Sequence, residues 1–320
     1  MRHLTCGDSG GNVRCSIIIL NFNERDLLLG CIESMVRAAG PEDEVIVVDS
    51  ASTDGSADAV AETYPQVRLL RLEQNRYIFG LNDGLRCAKG RFVAFCNNDM
   101  VVESDFVESA VSNFLDDSVF AVCARVLDRY GVEQGSRTAG IWTHGLLFYE
   151  PMPHVDRVTP CFFAVGGQSF FRRDLLLGLG SIDELLWPMY HEDIELSYRA
   201  WKAGYRILYA PRSVCHHLGG QTSRKVFSAA ELRSFVRQNE LLIVWKDIRD
   251  PRMLLEHLAY FPMRVAIALF RRDWGTLLGT WSAMRRFPAA LRARRQASVQ
   301  FALTDRQALA RVSTDAVQGC

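Results

Sequence analysis

Cys15-Ser16-Ile17-Ile18-Ile19-Leu20 runs into Asn21-Phe22-Asn23-Glu24, and Glu44-Val45-Ile46-Val47-Val48-Asp49 repeats the pattern: a short β-branched run that ends on a polar residue. Two such runs separated by a segment of helical period, Glu24–Ala39, read as a βαβ unit. The series continues with strands expected at Val67–Leu72 and Phe92–Cys96 and helices at Ser56–Tyr64 and Leu81–Ala88. Turn chemistry at Ser52-Thr53-Asp54-Gly55, Pro65 and Lys89-Gly90 punctuates them. The pattern predicts an α/β fold, a mostly parallel sheet covered by helices. Ligands of such sheets bind at the carboxyl ends of the strands, so Asn21-Phe22-Asn23, Asp49-Ser50 and Asn97-Asn98-Asp99 are expected at one rim.

Beyond this region a helix is expected at Ser104–Leu115 and strands at Val119–Val126, Ala164–Phe171 and Arg206–Tyr209. Residues 128–160, rich in Gly, Pro and aromatics, read as loops and short antiparallel strands shaping a substrate site. From Val226 to about Arg295 the period is helical, and 296–320 is a weakly periodic tail. The division expected is a flexible N-terminus at 1–12, a catalytic domain at 13–225, a helical appendage at 226–295 and the tail.

The formal net charge of zero gives no overall field for nucleic acid, and none is expected as a partner. From Arg252 onward arginine dominates, answered nearby only by Glu256 and Asp273. Nine cysteines without metal-ligand spacing read as reduced core thiols of a cytoplasmic protein, and Met1–Asn12 lacks the apolar segment of a signal peptide. Leu254–Phe270, interrupted by Glu256, His257, Pro262 and Arg264, is read as unable to span a bilayer.

Tyr190-His191-Glu192-Asp193-Ile194-Glu195-Leu196 begins a probable helix with three acids. At 100° per residue, Glu192, Glu195, Arg199 and Lys202 share a side expected to face water, with Glu195 paired to Arg199. Asp193 falls among Leu196, Ser197 and Ala200, and an acid on an inward side needs a partner or a task. Asp193 is thus the reacting candidate; a later helix start would exchange its role with that of Glu192. Asp99, at the end of an apolar strand, suits a hard cation or merely caps a turn, as Asp49 would. His216 and His217 would complete a metal site or simply lie at the surface.

The motifs Cys15–Glu24, Val45–Ser56, Gln74-Asn75-Arg76 with Phe79-Gly80-Leu81-Asn82, Gly90–Asp99, and His191–Leu196 with Gly204-Tyr205 occur in the order and spacing of the family 2 glycosyltransferases. The chain resembles these inverting enzymes of the GT-A fold from about Val13 to Gly220, most nearly their rhamnosyltransferase-like members that build bacterial surface polysaccharides. The resemblance implies a nucleoside diphosphate sugar donor, a saccharide or lipid-linked saccharide acceptor, and a divalent Mg²⁺ or Mn²⁺ ion. It implies that Asp49 holds the nucleotide base beside Asn21, Asn23 and Glu24, with Asn75, Asn82 and Asn98 also on the donor. It further implies Asp99 as metal ligand with His216 or His217, Asp193 as base, and Gly167, Gln168 and Glu192 near the sugars.

Asn97 stands where the family's first metal acid usually lies, leaving Asp99 as the certain carboxylate, and Arg76-Tyr77-Ile78-Phe79 is bulkier than usual. A nucleotidyltransferase or a non-catalytic saccharide-binding protein are the alternatives; the first would show an early glycine-rich basic loop where Asn21–Glu24 stands. Trp274, Leu277, Leu278 and Trp281 recur at helical spacing beside Arg271, Arg272, Arg285 and Arg286, which fits either a helix on the inner face of an anionic membrane or one packed on protein.

Overall fold

The computed structural model describes residues 13–219, 225–297, 301–314 and 316. The expected flexible N-terminus lies outside them. The first half runs β1 (Cys15–Asn21), α1 (Arg25–Ala38), β2 (Asp43–Asp49), α2 (Ser56–Thr63), β3 (Arg68–Arg71), α3 (Gly80–Cys87), β4 (Phe92–Asn97), β5 (Met100–Val102), α4 (Phe106–Val111) and β6 (Val119–Asp128). The hairpin β7 (Thr138–Thr143) and β8 (Leu146–Pro151), then β9 (Thr159–Pro160), β10 (Gln168–Arg172), α5 (Arg173–Gly178), α6 (Glu192–Lys202) and β11 (Arg206–His217) complete the sheet region. Four helices follow: α7 (Ala229–Asp247), α8 (Pro251–Phe270), α9 (Trp274–Ala297) and α10 (Asp305–Ala310).

The central sheet is ordered β3-β2-β1-β4-β10-β6-β11-β5, with β9 beside β11. Strands β1 to β4, β6 and β11 run one way, and β5, β9 and β10 oppose them. The apolar runs are buried on both faces, as a sheet covered on both sides requires. Ile17, Ile19, Val45 and Val47 belong to the core on one face, and Ile18, Ile46 and Val48 to the core on the other. The register Asn21↔Asp49 and Leu20↔Asn97 brings the polar ends of β1, β2 and β4 to one rim.

Several expectations change. The strand expected from Ala164 starts only at Gln168, because Gly167 has φ of +102° and a Cβ there would lie 2.4 Å from the Asn97 side chain. The strand at Arg206–Tyr209 continues through a register shift to His217, which carries both histidines into the ladder opposite β5. Leu254–Phe270 is not interrupted: it lies within one helix, α8, long and apolar enough by length and composition to cross a membrane, with a mean hydropathy of 1.4.

The largest correction concerns α6. Glu192, Glu195, Arg199 and Lys202 do not face water; all four are buried. Arg199 donates to both oxygens of Glu195, at 2.6 and 2.9 Å, as the spacing predicts. The side is covered by α7, whose Lys246 also pairs with Glu195, and by the C-terminal segment, whose Asp305 pairs with Lys202 and accepts from Tyr198 at 2.6 Å. Asp305 also accepts from the backbone N–H groups of Arg249 and Asp250, both at 2.6 Å, so part of the region read as a weakly periodic tail is a buried staple. A helix wheel assigns the polar side to water only when no later element covers it.

Candidate active site

The strand ends meet in a cleft of about 550 Å³. On the side of β1 and β2 lies an amide and carboxylate network. Asn21 donates to Asp49 Oδ1 and to Ser52 Oγ, each at 3.0 Å, while Asn98 donates to Asn21 Oδ1 at 2.7 Å. Asp49 also accepts from Ser52 N–H at 3.1 Å, so the turn-capping reading of this acid holds alongside any ligand role. Asn23, with φ of 58°, accepts from Thr53 N–H at 2.9 Å, and Glu24 pairs with Lys225. Asn75 accepts from Ser50 Oγ at 3.1 Å and from Tyr77 N–H at 2.8 Å. Of this network Ser50, Asn75 and Asn98 line the cleft with Phe22 and Tyr77, while Asn21, Asn23, Glu24 and Asp49 do not.

Asn82 is not brought there. Its amide is bonded to both backbone groups of Ile182, donating at 2.8 Å and accepting at 3.2 Å, and it borders a different cavity. The donor role that the resemblance implies for Asn82 is not supported by its placement, which points it toward the Ile182 backbone.

The histidine pair separates because successive residues of a strand face opposite sides. His217 Nε2 lies 2.9 Å from Asp99 Oδ2, and both line the cleft; His216 faces outward and meets Glu103 at 3.0 Å. The hydrogen bond that His217 donates to Asp99 raises the imidazole above its ordinary pKa, against the effect of burial. Asp99 Oδ1 is buried and has no hydrogen-bond partner among the described residues. A carboxylate oxygen without a donor, next to an imidazole, is a donor set that fits a divalent cation. No group of three ligating side chains occurs among the described residues, so water or substrate oxygens would complete the coordination.

The third wall is the start of α6. Tyr190 and His191 both adopt positive φ, 73° and 64°, before the first helical residue Glu192. Such backbone costs of order 1–3 kcal/mol per residue and persists where surrounding contacts hold it. Here Asn239 of α7 holds it, donating to the carbonyls of Leu186, Met189 and Tyr190 at 2.8–2.9 Å. Sequence reasoning gives Asn239 no role. Asp193, half-buried, accepts from Gly166 N–H at 3.2 Å and from Ile194 N–H at 2.8 Å. Gly166 lines the cleft, whereas Gly167 and Gln168 lie behind it, Gln168 buried opposite Cys96 in the ladder.

Glu192 and Asp193 both line the cleft, and their environments differ. Burial, reinforced by the neighbouring Asp193 charge, pushes Glu192 up to about 8, and its Oε2 has no hydrogen-bond partner among the described residues. Burial also raises Asp193, but the Gly166 and Ile194 amides oppose the shift. The two carboxyls therefore differ: Glu192 is pushed up with no donor to its Oε2, whereas Asp193 keeps two amide donors that favour its charged form.

Fold and cleft together define an α/β protein whose parallel strands end in a cleft lined by Asp99, His217, Glu192 and Asp193. The sequence profile of glycosyl transferase family 2 matches residues 16–179, half of the chain, and the chain belongs to that family. It is similar to the O-antigen chain rhamnosyltransferase WbaN of Salmonella anatum, 26% identical over 58% of this chain and 59% of that one. It is also similar to the poly(ribitol-phosphate) beta-glucosyltransferase of Bacillus spizizenii, 28% identical over 51% of this chain and 26% of that one. Other curated relatives, such as the uncharacterized glycosyltransferase YibD of Escherichia coli at 31% identity, align over only about a third of either chain, 33% and 32%.

Among solved structures, GalNAc-T7 with UDP, GalNAc and Mn²⁺ superposes with a TM-score of 0.61 at 19% identity, covering 75% of this chain and 49% of that one. The mannosyltransferase PcManGT of Pyrobaculum calidifontis, in complex with GDP-Man and Mn²⁺, gives 0.52 at 23% identity, covering 94% and 79%. These likenesses establish the GT-A fold with its mostly parallel sheet.

Proposed function

We propose that this chain transfers a sugar from a nucleoside diphosphate sugar to a hydroxyl of a saccharide or lipid-linked saccharide, with inversion, in the building of a bacterial surface polysaccharide. The observation that carries the reading is the meeting of Asp99, His217 and Asp193 on one cleft lined also by Asn98, which donates to Asn21 and through it is tied to Asp49 beneath the surface. The solved neighbours named with Mn²⁺ and a nucleotide or nucleotide sugar, and the relatives named for polysaccharide chains, support it.

In this reading Asp49, Asn21 and Asn75 orient the nucleotide, with Tyr77 and Phe22 available to stack on apolar faces. Asp99 and His217 would hold a divalent ion, which when bound supplies positive charge against the donor diphosphate. Asp193 accepts the proton of the acceptor hydroxyl as that oxygen bonds to the anomeric carbon. The bond from the same carbon to the diphosphate oxygen breaks, and the nucleoside diphosphate departs with the electron pair. Attack from the face opposite the leaving group inverts the centre. Glu192, holding its proton, donates a hydrogen bond into the cleft without adding a second negative charge beside the donor. The seven described cysteines, all buried and reduced, and the arginine-rich helices suit work at the cytoplasmic face of a membrane.

A thermal-shift screen of dTDP-rhamnose, UDP-hexoses and GDP-mannose with Mn²⁺ or Mg²⁺ tests the proposal, since a ligand of the native state raises its stability by mass action. At least one donor is expected to stabilise the protein with metal and much less without it. No response to any nucleotide sugar, or a response indifferent to metal, would count against the site as read.

A further inference from the structure

The active cleft does not end at Tyr77 and Phe227. Those two residues also line a cavity of about 280 Å³ bounded by Trp187, Pro188, Ser282 and Arg286. That cavity in turn shares Ser234, Ser282 and Arg286 with a third, about 610 Å³, whose outer wall is Leu278, Trp281 and Arg285 of α9. Through these shared wall residues the three cavities adjoin in series, a track of cavities from the cleft that holds Asp193 to the outer side of α9. Its inner stretch is aromatic: Trp187 packs on Tyr77 at 5.2 Å between ring centroids, and Phe227 lies 5.5 Å from Tyr77. Its middle is cationic. Arg286, half-buried, is turned toward the loop by hydrogen bonds from Nη1 to the carbonyls of Leu185 and Trp187, at 2.9 and 3.0 Å. Neither Arg285 nor Arg286 has a carboxylate partner among the described residues.

The outer end faces away from the protein. Gly279 fixes the orientation of α9, because a Cβ there would lie 2.3 Å from the Ser234 carbonyl oxygen; the glycine side must sit against α7. Trp274, Leu278 and Trp281 are consequently outside, Trp281 at 61% exposure, and Leu255, Leu258 and Phe270 of α8 are exposed as well. Between Pro251 and Ala297 the chain has nine arginines and two acids. Both acids face inward or cap: Glu256 accepts from Trp142 Nε1 at 2.7 Å, and Asp273 accepts from Thr276 Oγ1 at 2.8 Å. An apolar face with Trp at its margin, many arginines and no free carboxylate complements an anionic bilayer surface.

We propose that this track is the acceptor site for a lipid phosphate-linked saccharide, with the sugar at Asp193, the phosphate at Arg285 and Arg286, and the apolar chain leaving over Leu278 and Trp281 into the bilayer. The order of chemistries along the track is the order along such a molecule: a hydroxyl-bearing head, an anionic ester and a hydrocarbon chain. The inference rests on the transferase reading for the role of the head group, while the binding it predicts is measurable without any transfer.

The test is flotation of the protein with phosphatidylcholine vesicles doped with undecaprenyl phosphate, against vesicles doped to equal surface charge with phosphatidylglycerol. The wild-type chain is expected to favour the polyprenyl phosphate vesicles. Arg285→Gln and Trp281→Ala, both surface changes, should each reduce that preference by about fivefold, as loss of one interfacial contact implies. Equal flotation on both vesicle types, flotation on neither, or variants indistinguishable from wild type would overturn the proposal. The nucleotide-sugar melting shift of the same proteins reports separately on the catalytic cleft. Binding to the doped vesicles without any donor response would support the track and remove the transferase reading.

Discussion

His217 Nε2 and Asp99 Oδ2 stand 2.9 Å apart across 118 residues of sequence, held there by the antiparallel pairing of β5 with β11. The register His217↔Met100 places the imidazole at the mouth of the cleft and sends His216 the other way. Strand alternation, rather than motif position, chooses between the two histidines.

His217→Ala should abolish most of the Mn²⁺-dependent part of the nucleotide-sugar melting shift. His216→Ala should leave it intact, since His216 only meets the exposed Glu103. Differential scanning fluorimetry with and without Mn²⁺ separates the two, and equal losses would mean that the ladder places the wrong ring at the site.

Glu192 makes a pH-dependent contribution to stability. Its pKa rises from an ordinary 4.5 to about 8 on folding, so the folded state binds the extra proton, and stability falls as pH climbs between those values. Glu192→Gln removes the titration. Its melting temperature relative to wild type should therefore improve steadily from pH 5 to pH 8.5, in the range of a few degrees; a constant difference across that range would show that Glu192 is ionised throughout.

Asn239 is a positioning residue. Asn239→Ala frees three carbonyls and relaxes the positive-φ pair Tyr190–His191, with a stability loss of about 1–3 kcal/mol. Donor affinity should stay near wild type while kcat falls, because the nucleotide rim is built on β1 and β2 and the base on α6. Parallel losses in both parameters would point to general loosening instead.

Much of this was legible in the chain before folding. The strands of the first hundred residues and the rim motifs follow from period and turn chemistry, and the family resemblance named their targets; the wheel singled out Asp193 by sending Glu192 and Glu195 to water, where neither lies. What escaped was everything set by covering elements. Glu195, Arg199 and Lys202 read as solvated because the wheel cannot see Lys246 or Asp305 arriving from beyond the catalytic region. Asn82, given a donor role by the resemblance, bonds instead to Ile182, 100 residues away in sequence. The same blindness hid Asn239, whose amide nitrogen holds backbone carbonyls some fifty residues away in sequence.

Asp305 offers a check on that buried network. Asp305→Ala leaves Lys202 without its carboxylate in the interior and should cost roughly 3–5 kcal/mol in urea unfolding. A loss below about 1 kcal/mol would mean the segment is a surface pairing of ordinary value.

The central claim is that Asp193 takes the acceptor's proton in a cleft whose donor site is built elsewhere. It is tested most directly by measuring sugar transfer and donor affinity together in Asp193→Asn, with Mn²⁺ and the donor found by the melting screen. The account predicts turnover lowered by about 10²–10⁴-fold with donor Kd within a few-fold of wild type. Turnover near the wild-type rate at unchanged Kd would contradict it and remove Asp193 from the role of base.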